Sequence, residues 1–127
     1  MKIGVPKEIK NNEFRVGLSP SSAYELTQAG HSVFVEKDAG LGSDFSDKDY
    51  TDVNATLVSS AEQVFKQAEL IIKVKEPQAQ ERKLLKPSHT LFTYLHLAPD
   101  LAQTHDLLAS GATCIAYEMV RGSSGNL

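Results

Sequence analysis

The sequence has little of what marks secreted, membrane-spanning or nucleic-acid-binding proteins. Its 127 residues include a single cysteine, Cys114, so no disulfide can form within the chain, and the apolar run around it predicts a core position in a reducing compartment. No stretch approaches the roughly 20 apolar residues of a membrane span, and the N-terminus lacks the apolar stretch of a signal peptide. The formal net charge of −3 gives no reason to expect binding to nucleic acid or to a membrane surface. We therefore expect a one-domain cytoplasmic protein.

Strand and helix signals alternate along the chain, which predicts an α/β fold. Strands are predicted at residues 2–6, 31–37, 69–75, 90–95 and 112–117. Helices are predicted at residues 20–30, 46–54, 78–85 and 100–110, the last of which ends at Gly111. A further helix is predicted to begin after a capping box at residues 59–62. Residues 121–127 have loop composition. Repeated βα units with short connections predict a doubly wound, mostly parallel, Rossmann-like sheet with helices on both faces.

Three cationic or titratable side chains follow predicted strands at one edge of this sheet. Arg15 lies in the loop after the first strand, Lys75 ends the third, and His96 follows the fourth. In open α/β sheets, ligands bind in the crevice beyond the carboxyl ends of the strands. The positions of these three residues therefore predict a binding or catalytic site.

Each of the three side chains has a functional and a purely structural interpretation. The Arg15 guanidinium can bind a small carboxylate with two parallel hydrogen bonds, or it can pair with Glu13 at the surface. Lys75 can stabilise charge that grows on a carbonyl oxygen, or it can be a solvated strand end, an interpretation that suits Lys73 equally. His96 can give and take a proton, or it can be a hydrogen-bonded structural histidine.

A glycine-rich stretch, Gly40 to Phe45, begins like a dinucleotide fingerprint. It lacks the third glycine, it follows the second strand instead of the first, and no suitable helix comes after it. We therefore predict a loop and no cofactor-binding residue. Glu118, just after the last strand, suits a hydrogen-bonding or metal-binding carboxylate, but no second ligand is identifiable and no Cys/His spacing predicts a metal site.

Four motifs occur in order along the chain. They are Val5-Pro6-Lys7-Glu8 with Asn12-Glu13-Phe14-Arg15-Val16-Gly17-Leu18-Ser19-Pro20, Lys73-Val74-Lys75-Glu76-Pro77, Leu91-Phe92-Thr93-Tyr94-Leu95-His96-Leu97-Ala98, and Ile115-Ala116-Tyr117-Glu118. Together they resemble the alanine dehydrogenase and transhydrogenase α-subunit family. The third motif resembles the alanine dehydrogenase form, since transhydrogenases are similar at the first two motifs but lack this histidine.

The resemblance implies roles for the three candidate residues. Arg15 would hold the substrate carboxylate, Lys75 would contact the keto or amino centre, and His96 would donate and accept the proton. The implied reaction is the reversible oxidative deamination of L-alanine to pyruvate and ammonia with NAD. The implied full-length enzyme is a homo-oligomer.

The family also has an NAD-binding domain and a further catalytic aspartate, and neither is present in this chain. Residues 1–127 are therefore expected to be an incomplete N-terminal substrate domain that is inactive by itself. The alternatives are part of a transhydrogenase α-subunit, part of a saccharopine-type dehydrogenase, and a non-catalytic module that binds a small acid.

Overall fold

A six-stranded parallel sheet lies at the centre of the molecule, whose computed structural model describes residues 1–126. The strands are β1 (Lys2–Val5), β2 (Ser32–Glu36), β3 (Thr56–Val58), β4 (Leu70–Ile72), β5 (Thr90–Thr93) and β6 (Thr113–Ala116). Their order is β3-β2-β1-β4-β5-β6, and every neighbouring pair is parallel. The chain thus winds outward from β1 in both directions, and the predicted doubly wound sheet is confirmed.

Five α-helices connect these strands within the described residues. They are α1 (Pro20–Gln28), α2 (Asp47–Thr51), α3 (Ala61–Gln67), α4 (Ala79–Arg82) and α5 (Leu101–Ser110). Ser19 caps α1 by accepting a hydrogen bond from Ser22 N at 3.2 Å, and Gly111 ends α5 in the left-handed region at φ 72°, as predicted. The capping box predicted at residues 59–62 is wrong, because Ser60 is the N-cap of α3 and its side chain accepts from Gln63 N.

Helices cover both faces of the sheet. On one face Val5, Val33 and Val35 pack around Ala23 of α1. On the other face a Cβ at Gly4 would lie 2.7 Å from side-chain atoms of α3, so only glycine lets that helix lie so close to β1. Side chains alternate along a strand, which is why neighbouring residues of β1 contact opposite layers.

Several sequence-based boundaries need correction. The strand β3 was missed because three residues at the edge of a sheet give too short a pattern. The strands predicted at 69–75 and 90–95 end earlier, at Ile72 and Thr93. Cys114, predicted in the core, is half-buried at its margin. A loop was predicted at residues 121–127, but β7 (Arg121–Gly122) and β8 (Gly125–Asn126) form an antiparallel hairpin there. Leu127 lies outside the described residues.

Among residues 1–126, every helix is too short or too polar to cross a lipid bilayer.

Candidate active site

Arg15, Lys75 and His96 line one cleft at the carboxyl edge of the sheet. The cleft has a volume of about 330 Å³ and is also lined by Lys10, Glu76 and Tyr94. Loops after β1, β4 and β5 supply these residues, and β1 and β4 are the strands at which the winding direction reverses. The structure therefore brings together the three residues selected from the sequence, at the place where open α/β sheets bind ligands.

Arg15 forms a two-pronged ion pair with Glu13. Nε donates to Oε2 at 3.0 Å and Nη2 donates to Oε1 at 2.8 Å, while the Arg15 side chain remains 63 % exposed. The hydrogen bond from Arg15 lowers the pKa of Glu13 to about 2 against the effect of burial, and the charge of Lys75 acts in the same direction. A guanidinium has five N–H donors, so three remain for a second acceptor such as a substrate carboxylate. The pairing with Glu13 and the binding role are thus compatible.

The loop that carries Arg15 is held by two glycines with no room for a side chain. A Cβ at Gly17 would lie 2.6 Å from the carbonyl oxygen of Ile72, and one at Gly42 would lie 2.5 Å from that of Phe14. Ser43 Oγ also donates to Phe14 O at 3.1 Å. The glycine-rich stretch therefore packs against the Arg15 loop. Phe14 occupies the space beside Gly42 where a dinucleotide phosphate would have to lie, so this stretch does not fit a dinucleotide.

Lys75 is positioned by Glu8, a carboxylate that sequence reasoning did not select. Glu8 Oε1 accepts from Lys75 N at 3.0 Å, and Oε2 accepts from Val74 N at 3.2 Å. On the other side, Thr93 Oγ1 donates to Lys75 O at 2.8 Å. The backbone of Lys75 is thus fixed by the loop after β1 and by the end of β5. An acidic residue three positions after the end of a buried strand was the sequence signal for this role.

Lys73 is buried, so its interpretation as a solvated strand end is wrong. Its side chain is 1 % exposed, and Nζ lies 3.1 Å from Glu8 Oε2 and 3.0 Å from Glu81 Oε2. The contact with Glu8 is a hydrogen bond, whereas Glu81 Oε2 makes no hydrogen bond within the described residues. Glu8 therefore links a buried ammonium group to the backbone of Lys75.

His96 lies on a turn that Glu118 holds. The His96 backbone has φ 53°, and Leu95 N and His96 N donate to the two oxygens of Glu118 at 3.1 and 3.2 Å. Although burial raises the pKa of Glu118, these backbone hydrogen bonds and the charge of His96 together lower it. Glu118 is thus a hydrogen-bonding carboxylate. Residues 1–126 contain no group of three or more side chains suited to a metal ion.

A comparison with His89 separates a structural histidine from His96. His89 is 2 % exposed; its Nδ1 accepts from Lys86 N at 2.9 Å, so Nε2 carries the proton and donates to Phe65 O at 2.7 Å. His96 is exposed and lines the cleft. Its environment leaves the imidazole accessible for proton transfer.

Three stacked aromatic rings lie beside His96 and were also missed. The ring centroids of Phe92 and Tyr117 are 3.9 Å apart, and those of Tyr94 and Tyr117 are 5.1 Å apart. Tyr94 forms part of the cleft wall. The stack joins the ends of β5 and β6, and through Tyr94 it places one aromatic ring at the cleft.

Comparisons with known proteins show which family the chain resembles. Residues 4–127 match the family model described as "Alanine dehydrogenase/PNT, N-terminal domain". The chain is 54 % identical to an alanine dehydrogenase of Halomonas elongata and 48 % identical to one of Mycobacterium tuberculosis, in each case over all of this chain and 34 % of the relative.

Solved structures show the same likeness. A structure titled L-alanine dehydrogenase matches with a TM-score of 0.95 and 50 % identity over 99 % of this chain and 35 % of the other. A transhydrogenase from Sinorhizobium meliloti matches with a TM-score of 0.89 and 30 % identity over 98 % of this chain and 37 % of the other. The chain thus spans about a third of the length of the relatives that it matches. It belongs to the family of alanine dehydrogenase and PNT N-terminal domains.

Proposed function

We propose that this chain is the N-terminal substrate-binding domain of an NAD-dependent alanine dehydrogenase that interconverts L-alanine with pyruvate and ammonia. The single observation that carries the proposal is the cleft shared by Arg15, Lys75 and His96. A carboxylate-binding cation, a cation for a carbonyl oxygen and an acid/base group suit a small 2-oxo acid. The names of the relatives described above support the same reaction.

Arg15 and Lys75 bind and orient the substrate in this proposal. The three guanidinium donors that Glu13 leaves available hold the substrate carboxylate. The Lys75 ammonium group contacts the carbonyl oxygen of pyruvate or the amino group of alanine, and it stabilises negative charge that develops on the oxygen. The backbone bonds that fix Lys75 between Glu8 and Thr93 keep this cation in place.

His96 moves the protons. When alanine is made, ammonia adds to the pyruvate carbonyl and water leaves, so a proton is delivered to the departing oxygen and another is taken from the added nitrogen. An imidazole serves both steps because one ring nitrogen can donate a proton while the other accepts one.

NAD, the hydride carrier, is bound in this proposal by a part of the protein outside this chain, because the glycine-rich stretch of the chain does not fit it. Residues 1–127 then form one domain of a longer protein and are inactive alone.

A transhydrogenase α-subunit is the second candidate. Its support is the structural match at 30 % identity, against 50 % for the alanine dehydrogenase structure. The exposed histidine in the cleft favours alanine dehydrogenase, since proton transfer to a substrate requires such a group. We further propose a homo-oligomer, since apolar side chains that association would bury are exposed around β6, among them Leu108 and Ile115. We also propose a cytoplasmic location, because a chain with a single cysteine suits a reducing compartment.

The test replaces His96 with alanine in the full-length enzyme. We expect turnover to fall by about a hundredfold or more, the usual scale for a lost acid/base group. The fold should survive because the His96 side chain is exposed. The control is His105→Ala, which removes an exposed histidine on α5 and should leave turnover unchanged. Circular dichroism and turnover are measured on the same samples, and near-normal turnover of the His96 variant would contradict the proposal.

A further inference from the structure

The backbone at His96 has a conformation that a residue with a side chain rarely adopts. Its φ of 53° lies in the left-handed region, where Cβ crowds the backbone. Such a conformation persists only where the surroundings enforce it, and it occurs often at functional sites. The groups that hold this turn therefore decide where the imidazole lies.

Glu118 is the side chain that accepts hydrogen bonds from the backbone of this turn. In an extended strand successive N–H groups point in opposite directions, yet Leu95 N and His96 N converge on one carboxylate, at 3.1 Å to Oε1 and 3.2 Å to Oε2. Consecutive N–H groups can converge on an anion only when the backbone turns between them. The carboxylate thus stabilises the turned conformation against the extended one.

The position of Glu118 is tied to the strand that leads to His96. Glu118 lies on the short helical turn Tyr117–Met119, directly after β6, which pairs in register with β5. From the opposite side, the buried Gln103 donates to Leu95 O at 2.9 Å. The peptide before His96 is therefore held at its carbonyl by α5 and at its N–H by Glu118.

We propose that Glu118 is a positioning residue that aims the His96 imidazole into the substrate cleft. The inference rests on the proposed function, because it assumes that His96 is the acid/base group. His96 lies between the polar cleft and an apolar groove of about 470 Å³ that includes Leu97 and Met119. If the turn relaxed, the imidazole would move away from the substrate, and a misplacement of about 1 Å can cost a hundredfold in rate.

The first variant is Glu118→Gln in the full-length enzyme. The amide keeps the size of the side chain, but its NH₂ group must face one of the two backbone N–H donors, so one hydrogen bond is lost. We expect kcat to fall about tenfold or more, while KM for alanine changes by less than about twofold because Arg15 and Lys75 still bind the substrate. The control Glu62→Gln removes an exposed carboxylate on α3 and should change neither constant.

The decisive measurement is a double-mutant cycle with His96→Ala. If Glu118 acts through His96, Glu118→Gln should lower kcat by less than about twofold once the imidazole is gone. An equal loss in both backgrounds would show a general structural effect and overturn this inference alone. A His96→Ala enzyme with near-normal turnover would instead overturn the proposed function, and the role of Glu118 with it.

Two further measurements test the inference even if the Glu118→Gln variant does not fold. Glu118→Asp keeps the charge but shortens the side chain; it should give a smaller loss of kcat that likewise disappears in the His96→Ala background. In the native full-length enzyme, the amide protons of Leu95 and His96 should be protected from hydrogen exchange. Rapid exchange of both would overturn the inference without any substitution.

Discussion

Replacing Lys73 with methionine should destabilise the fold more than its position after a strand suggests. Methionine fills a similar length but removes the ammonium group, which is 1 % exposed and lies about midway between two carboxylates that are each 2 % exposed. Glu8 and Glu81 would then be buried without a cation. Removing one partner of a buried ion pair typically costs about 3–5 kcal/mol. Against a total stability of about 5–15 kcal/mol for a domain, the unfolding free energy should fall by roughly a fifth or more.

The two carboxylates should not contribute equally to this loss. Glu8 keeps its hydrogen bonds from Val74 N and Lys75 N, whereas Glu81 Oε2 has no hydrogen bond within the described residues and loses its charge partner. Adding Glu81→Gln to Lys73→Met should therefore restore about 1–3 kcal/mol, the scale of one unsatisfied buried polar group. The same change in the wild-type protein should be destabilising, because it removes an anion beside a buried cation.

The assay is urea unfolding followed by circular dichroism, with Lys86→Met as the control. Lys86 is an exposed loop residue, and its replacement should change the unfolding free energy by no more than about 0.5 kcal/mol. If the unfolding free energy of Lys73→Met also differed from wild type by no more than this, the reasoning would be refuted, because the buried ammonium group would not be needed for stability. Failure of Glu81→Gln to restore stability would refute the unequal division between the carboxylates.

Two further predictions concern Arg15 and Glu13. Arg15→Lys in the full-length enzyme keeps the charge but loses the planar fork. We therefore expect kcat/KM for alanine and pyruvate to fall about tenfold or more, which corresponds to a loss of about 1.4 kcal/mol of transition-state stabilisation. Unchanged kinetics would show that Arg15 is a surface residue without a role in substrate binding. The pKa of Glu13 is lowered from 4.5 to about 2, so its stabilisation is complete above pH 4.5 and is lost as the pH falls through 2. Glu13→Gln should therefore lower the unfolding free energy by about 1 kcal/mol or less from pH 5 to 8, because Arg15 is largely exposed, and the difference from wild type should shrink below pH 4.5. A difference independent of pH between 5 and 2 would contradict this.

Apart from β3 and the β7–β8 hairpin, local signals in the sequence sufficed for the order of strands and helices. Ser19 before Pro20 and Gly111 after α5 act through neighbouring backbone groups, so their effects could be predicted without the tertiary structure. The parallel sheet followed from the alternation of elements, because βα units with short connections have few possible arrangements. Short elements were less predictable: β3 has three residues, and its pairing with β2 defines it more than its own pattern does.

The sequence by itself determined that Arg15, Lys75 and His96 share one edge of the sheet, because each follows a strand and parallel strands end together. Only the tertiary structure decided what holds them there. Glu8 is 67 residues from Lys75, and Glu118 is 22 residues from His96, so no local pattern marks either pair. Burial also depends on tertiary structure. Lys73 and Lys75 look alike in the sequence, yet Lys73 is buried between two carboxylates, Glu8 from the loop after β1 and Glu81 from α4. A charged group can be buried only where such partners meet it, and the chain brings them together only on folding.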